Sequence, residues 1–133
     1  MKKTLLVIST AVMVALAAPA FAGAKQDAVM DHYKKLAKGS FSAERGKAFY
    51  SAVHTGGKPA TPSCTSCHTK SPTGTGQTRA NKPIAPMALS KSPDRFGDLK
   101  KVEKWFGRNC RSVLGRECTV QEKGDFLAFM YSQ

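Results

Sequence analysis

Cys64-Thr65-Ser66-Cys67-His68 constrains this chain more than any other run in it. Two thiols three positions apart can add across the two vinyl groups of haem, and the adjacent histidine then reaches the iron as its proximal ligand. Covalent attachment would fix the cofactor in a domain too small to enclose it by packing alone. Two other chemistries use paired cysteines. A thioredoxin-like redox pair needs a βαβ pattern, which this sequence lacks. A structural zinc site needs four protein ligands. Cys110 and Cys118 could complete one, but their separation within one segment suits a disulfide equally well.

The N-terminus predicts export. Lys2 and Lys3 precede an apolar stretch from Leu5 to Ala18, and Ala20-Phe21-Ala22 fits the small-x-small cleavage pattern. Cleavage is expected after Ala22, so that residues 1–22 are a signal peptide. The apolar stretch is shorter than the roughly 20 residues of a membrane span, and no later segment is apolar enough to make one. Residues 23–133 then form one domain, expected in the periplasm and not spanning a membrane. An even number of cysteines in an oxidising compartment also favours a disulfide between Cys110 and Cys118.

The 133-residue chain carries a formal charge of +12, and loss of Lys2 and Lys3 leaves +10. A basic surface suits nucleic acid, anionic membrane or an acidic protein. Export argues against nucleic acid, and an acidic redox protein is the expected partner.

Periodicity predicts four helices. The first spans Lys25 to Lys38, with Val29, Tyr33 and Leu36 on one face and Gly39 as its stop. The second runs from about Ser42, a capping residue, to Val53; Ala43, Gly46, Phe49, Tyr50 and Val53 line one face. The third starts near Asp98 and stops before Gly115. The fourth starts at Thr119, which forms a capping box with Glu122. Residues 55–63 and 69–86 are rich in Gly and Pro and read as loops. A loop as long as the second is unusual unless it covers something, and a haem edge would supply that.

Several side chains compete for the iron's other face. Counted at about 100° per residue, Asn109 falls within about 60° of Val102, Phe106 and Val113 on the third helix. An amide on an apolar face needs a partner, since leaving it unsatisfied costs about 1–3 kcal/mol. Helix phase alone favours an ordinary hydrogen bond over iron. Met87 is the rival, because methionine fills this role in many cytochromes. It lies only 19 residues beyond His68. The carbonyl of Pro83 or Pro86 could accept the His68 Nδ1 proton, a bond that fixes the imidazole. His32 and His54 read as solvated surface. Trp105 reads as haem-pocket or core packing. Lys100, Lys101, Lys104, Arg108 and Arg111 form a basic ridge.

The sequence resembles the class I cytochrome c fold. Gly46 and Tyr50 are similar to its N-terminal helix signature, and the run from Glu122 to Met130, with Phe129, is similar to the C-terminal helix that crosses it. A chain that resembles this fold would place its proximal-side loop where Met87 lies, so Met87 reads better as haem packing than as an iron ligand. The nearer resemblance, over residues 43–130, is to the SHP family of high-spin cytochromes c. It rests on Pro59-Ala60-Thr61-Pro62-Ser63, on Lys82-Pro83-Ile84-Ala85-Pro86-Met87, and above all on Trp105-Phe106-Gly107-Arg108-Asn109-Cys110. Leu114-Gly115-Arg116-Glu117-Cys118 and Gln121-Glu122-Lys123 extend it. The resemblance implies an all-α fold with long Pro/Gly-rich loops around one haem c. It implies Asn109 as the sixth iron ligand in the oxidised state, lost on reduction so that diatomic ligands such as O2 or NO can bind. It implies a Cys110–Cys118 disulfide, and a dihaem cytochrome c and a membrane cytochrome b as redox partners. Electron transfer and diatomic-ligand binding or reduction are both implied functions. Nothing in it assigns a role to residues 23–42.

Overall fold

The computed structural model describes residues 21–133, so all of the expected signal except Phe21 and Ala22 lies outside the described residues. The first helix, α1, is Ala24–Leu36. Its buried stripe is Gln26, Val29, Met30 and Tyr33, the i, i+3, i+4, i+7 spacing of one helical face. Leu36 has the right phase, yet it is 56% exposed; it occupies the last turn, beyond the packed surface. The helix stops there, ahead of the expected end at Lys38, because Ala37 turns extended.

The second helix, α2 (Ala43–Ser51), is capped as expected: Ser42 Oγ accepts from Arg45 N at 3.2 Å. The chain turns extended at Ala52. Val53 therefore loses its helical phase and is 75% exposed, instead of lining the core. The motif itself folds into a single turn, α3 (Thr65–His68), which the hydrophobic pattern does not announce. Within the segment read as a loop, β1 (Gly76–Gln77) and β2 (Pro83–Ile84) pair antiparallel, Gly76 opposite Ile84. Strands of two residues are too short to show alternation.

The third long helix, α4 (Leu99–Leu114), starts at Asp98, whose side chain accepts from Lys101 N at 3.1 Å. It stops at Gly115 with φ 73°, the left-handed conformation glycine adopts freely. Gly115 is also held close to its neighbours: a Cβ there would sit 2.0 Å from the Gly56 carbonyl oxygen. The last helix, α5 (Val120–Tyr131), opens with the expected reciprocal bonds of Thr119 and Glu122.

The centre of the fold is the crossing of α2 and α5. A Cβ on Gly46 would lie 1.9 Å from the Asp125 carbonyl oxygen and 2.8 Å from Phe129 Cβ, so only glycine permits this approach. Tyr50 then meets Phe129, ring centroids 5.7 Å apart, and Phe106 of α4 meets Phe126 edge-on at 5.5 Å. Asp125, almost completely buried, clamps the crossing. It accepts two bonds from Arg45 at 2.8 Å, one from Ser42 N at 2.7 Å and one from Gln121 at 3.0 Å. Burial opposes its ionisation, but these donors outweigh it and hold the carboxyl below the usual range. The α1 helix packs on the same core: Tyr33 hydrogen-bonds Glu103, which also takes Lys123 Nζ at 2.7 Å.

Cys110 and Cys118 form a disulfide, as the compartment argument and the family resemblance both imply. It ties the last turn of α4 to the start of α5 across eight residues. Closing a loop of that size is worth about 2–3 kcal/mol in the chain-entropy view. Replacing both cysteines with serine should lower unfolding free energy by about that much, measured by denaturant titration.

Candidate haem-binding site

The motif is built from its flanks inward. Ser63 Oγ donates to Tyr50 O at 3.3 Å and accepts from Thr65 Oγ1 at 3.0 Å, which starts the turn. The Cys64 carbonyl accepts from Cys67 N at 3.3 Å and His68 N at 3.1 Å. The Tyr50 hydroxyl, at the end of α2, lies 3.0 Å from His68 O and 2.7 Å from Thr69 O. Thr69 ends the turn at φ 65°. The β1 strand rests directly on this turn, since a Cβ on Gly76 would lie 2.2 Å from Cys67 O and 3.1 Å from His68 Cα. Tyr50→Phe should cost about 0.5–1.5 kcal/mol, because it removes the donor to two part-buried carbonyls; thermal melts of the two proteins measure it.

Cys64 and Cys67 are free thiols although they share one turn. Burial pushes the Cys64 thiol up to about 11. Reactive dithiols have lowered values, so this pair is poorly suited to disulfide exchange. A zinc site completed by the other cysteines is excluded as well, because Cys110 and Cys118 are spent on each other. Burial, aided by the Arg95 guanidinium, lowers the His68 pKa to about 4. Its imidazole is therefore neutral at physiological pH, as a metal ligand must be. Its Nδ1 is buried with no hydrogen-bond partner, so the expected bond to a Pro83 or Pro86 carbonyl is not formed; Pro83 sits instead, exposed, in β2.

The expectation for Asn109 changes. Its side chain is exposed, not part of the buried face. That face is centred on Val102, Phe106, Cys110 and Val113, and Asn109 falls at its edge. Trp105, one turn earlier on the same edge, is 52% exposed and so is no core residue. One turn later Ser112 Oγ meets Thr61 Oγ1 at 3.0 Å. An exposed tryptophan and amide in line on one helix edge are what a planar apolar cofactor would cover. With the free thiols and the neutral imidazole, the residues present fit haem. Met87 is buried in the core, its backbone N–H bonded to Pro72 O at 2.8 Å. His54 is not solvated surface: its ring packs on Phe49 at 5.7 Å and its Nε2 is buried without a partner. The basic ridge is exposed, except that Arg108 stacks over Trp105 at 5.1 Å.

Sequence reasoning missed the clamp at Asp125 and the loop around Arg95. Asp125 had a readable signal, an acid four residues from Gln121 and one position from Phe126 in an apolar run. Arg95 had none, since it lies in a loop without periodicity.

Residues 36–130 match a family model described as a domain of unknown function, DUF1924. The cytochrome c-type protein SHP of Cereibacter sphaeroides is 52% identical over 119 residues, covering 89% of this chain and 92% of that protein. The structure of oxidised SHP, described as an oxygen-binding cytochrome c, superposes with a TM-score of 0.79 at 51% identity, covering 81% of this chain and 96% of that one. Oxidised cytochrome c'' from Methylophilus methylotrophus superposes with a TM-score of 0.68 at 29% identity, covering 80% and 92%. Fold and relatives together define a c-type cytochrome, all-α and carrying one covalent haem c. Within that class the chain belongs to the SHP family.

Proposed function

We propose that this chain is a periplasmic electron carrier whose sixth iron ligand, Asn109, is released on reduction. Export follows from the signal at residues 1–22, cleaved after Ala22. Cys64 and Cys67 hold the haem through thioether bonds, and His68 Nε2 is the proximal ligand. When bound, haem would supply a one-electron iron couple and a further coordination position. Tyr50 and β1 fix the backbone beneath His68 and so set the proximal side. The observation that carries the distal reading is the exposed Asn109 amide in line with Trp105 on α4. An amide oxygen is a hard, neutral donor that favours Fe(III) over the softer Fe(II), so Asn109 would hold the iron in the oxidised protein and let go of it on reduction. Met87, buried in the core, acts in packing and not as the axial ligand.

The second reading is a haem protein that binds or reduces a diatomic gas. The similarity to an oxygen-binding cytochrome c favours it, and a released Asn109 would serve it. The exposed ridge of Lys100, Lys101, Lys104 and Arg111 suits an acidic redox partner, with a dihaem cytochrome c or a membrane cytochrome b as the candidates the family offers. No helix among the described residues is long and apolar enough to cross a membrane. Absorption spectra of the ferrous protein, with and without oxygen and nitric oxide, test both readings. A gas-dependent shift is expected. No shift leaves the carrier role alone, and a six-coordinate low-spin ferrous spectrum without added ligand defeats Asn109 release.

A further inference from the structure

Arg95 is a half-buried cation that has no counter-ion among the described residues. One end of its guanidinium, Nη2, donates to Ala85 O at 2.7 Å. The Nε is buried and has no partner. Ala85 directly follows β2, whose partner strand β1 lies against the backbone of Cys67 and His68. The charge is near enough to His68 to act on its imidazole through space.

The backbone of Arg95 is held with care. Gln26 of α1, 5% exposed, donates both amide hydrogens to this loop, to Pro93 O at 2.8 Å and Arg95 O at 2.9 Å. The Tyr131 hydroxyl reaches Gln26 O at 3.2 Å and Phe96 O at 3.5 Å. Phe96 itself is held at φ 59°, its ring packed against Phe126 and Tyr131. A non-glycine residue in that conformation persists only where its surroundings enforce it.

A guanidinium that is partly out of water, with a buried Nε that lacks a partner, is best satisfied by an anion that covers it. We propose that Arg95 is the counter-charge to the bound haem, biasing its iron toward the ferrous state, and that Gln26 is the residue that positions it. This rests on the haem site proposed above. A c-type haem brings carboxylates, which supply the anion Arg95 lacks. Its iron centre is one charge more positive when oxidised, so a fixed cation nearby disfavours the oxidised form. Arginine suits the place because it keeps its charge when desolvated. This role also gives α1 a purpose, since its first turn carries the residue that anchors the Arg95 loop.

The test is an equilibrium redox titration of holoprotein, followed by absorbance, with covalent haem counted as the pyridine haemochrome. Arg95→Gln should shift the reduced-to-oxidised ratio at fixed potential at least about tenfold toward oxidised, a midpoint fall of about 59 mV for one electron. Arg95→Lys should retain most of the wild-type potential. Gln26→Leu, which keeps Arg95 but frees its loop, should move the midpoint the same way by less, and should add nothing to Arg95→Gln. Arg95→Gln at the wild-type potential with full haem content overturns the inference. So does a Gln26→Leu shift that adds in full to that of Arg95→Gln. Should Arg95→Gln not fold, Gln26→Leu at the wild-type potential overturns it alone. Wild-type protein matured without covalent haem overturns the underlying site instead, and is told apart by the haemochrome count.

Discussion

Asn109→Ala should bind cyanide in the ferric state on the order of 10–100-fold more tightly than wild type. Apparent affinity scales with the fraction of molecules whose site is open. An amide that occupies the ferric position about 90–99% of the time masks affinity by that factor. Ferrous affinity for nitric oxide should be unchanged, because Asn109 has already left. Equal gains in both states would mean that Asn109 acts as a steric gate and not as a ligand. The same measurement on Met87→Leu should show no gain in either state.

Gly46→Ala should be among the most damaging single-methyl changes in the described residues. Its Cβ would need space 1.9 Å from a backbone oxygen of α5, and backbone cannot rotate away as a side-chain tip can. Overpacking of this kind costs about 1–3 kcal/mol and sometimes more, and here the upper end applies. For a domain of this size about 3 kcal/mol corresponds to a fall in melting temperature on the order of 10–20 °C. Separating α2 from α5 also pulls Tyr50 off the carbonyls of His68 and Thr69, so haem attachment during maturation should fall with stability. Gly107→Ala is the control: a Cβ there meets nothing within 4 Å, and the helix should tolerate it or gain.

Most of this fold is legible in the sequence, for identifiable reasons. Caps are local, so Ser42, Asp98, Gly115 and the Thr119–Glu122 box mark helix ends without tertiary help. The motif residues are legible because their chemistry depends on adjacency along the chain. Helix phase is less reliable near helix ends, where Leu36 and Val53 keep their hydrophobicity but lose their neighbours. Phase also placed Asn109 too far inward, because a helix edge and a helix face differ by less than one residue's rotation. The position of Arg95 could not be read at all. It depends on Gln26, 69 residues away, and on a phenylalanine in a backbone conformation that side-chain preferences do not forecast.

The disulfide begins one residue after Asn109. The α4 helix is thus fastened, next to Asn109, to the segment that leads into α5, so release of the proposed ligand by side-chain rotation would disturb less than release by helix displacement. A practical consequence concerns the choice of reductant. An agent that supplies electrons to the iron and also cleaves this bond changes two things at once, the oxidation state and the anchorage of the helix that bears Asn109. Ferrous spectra taken in excess thiol and in dithionite alone should therefore be compared before either is assigned to the native reduced protein.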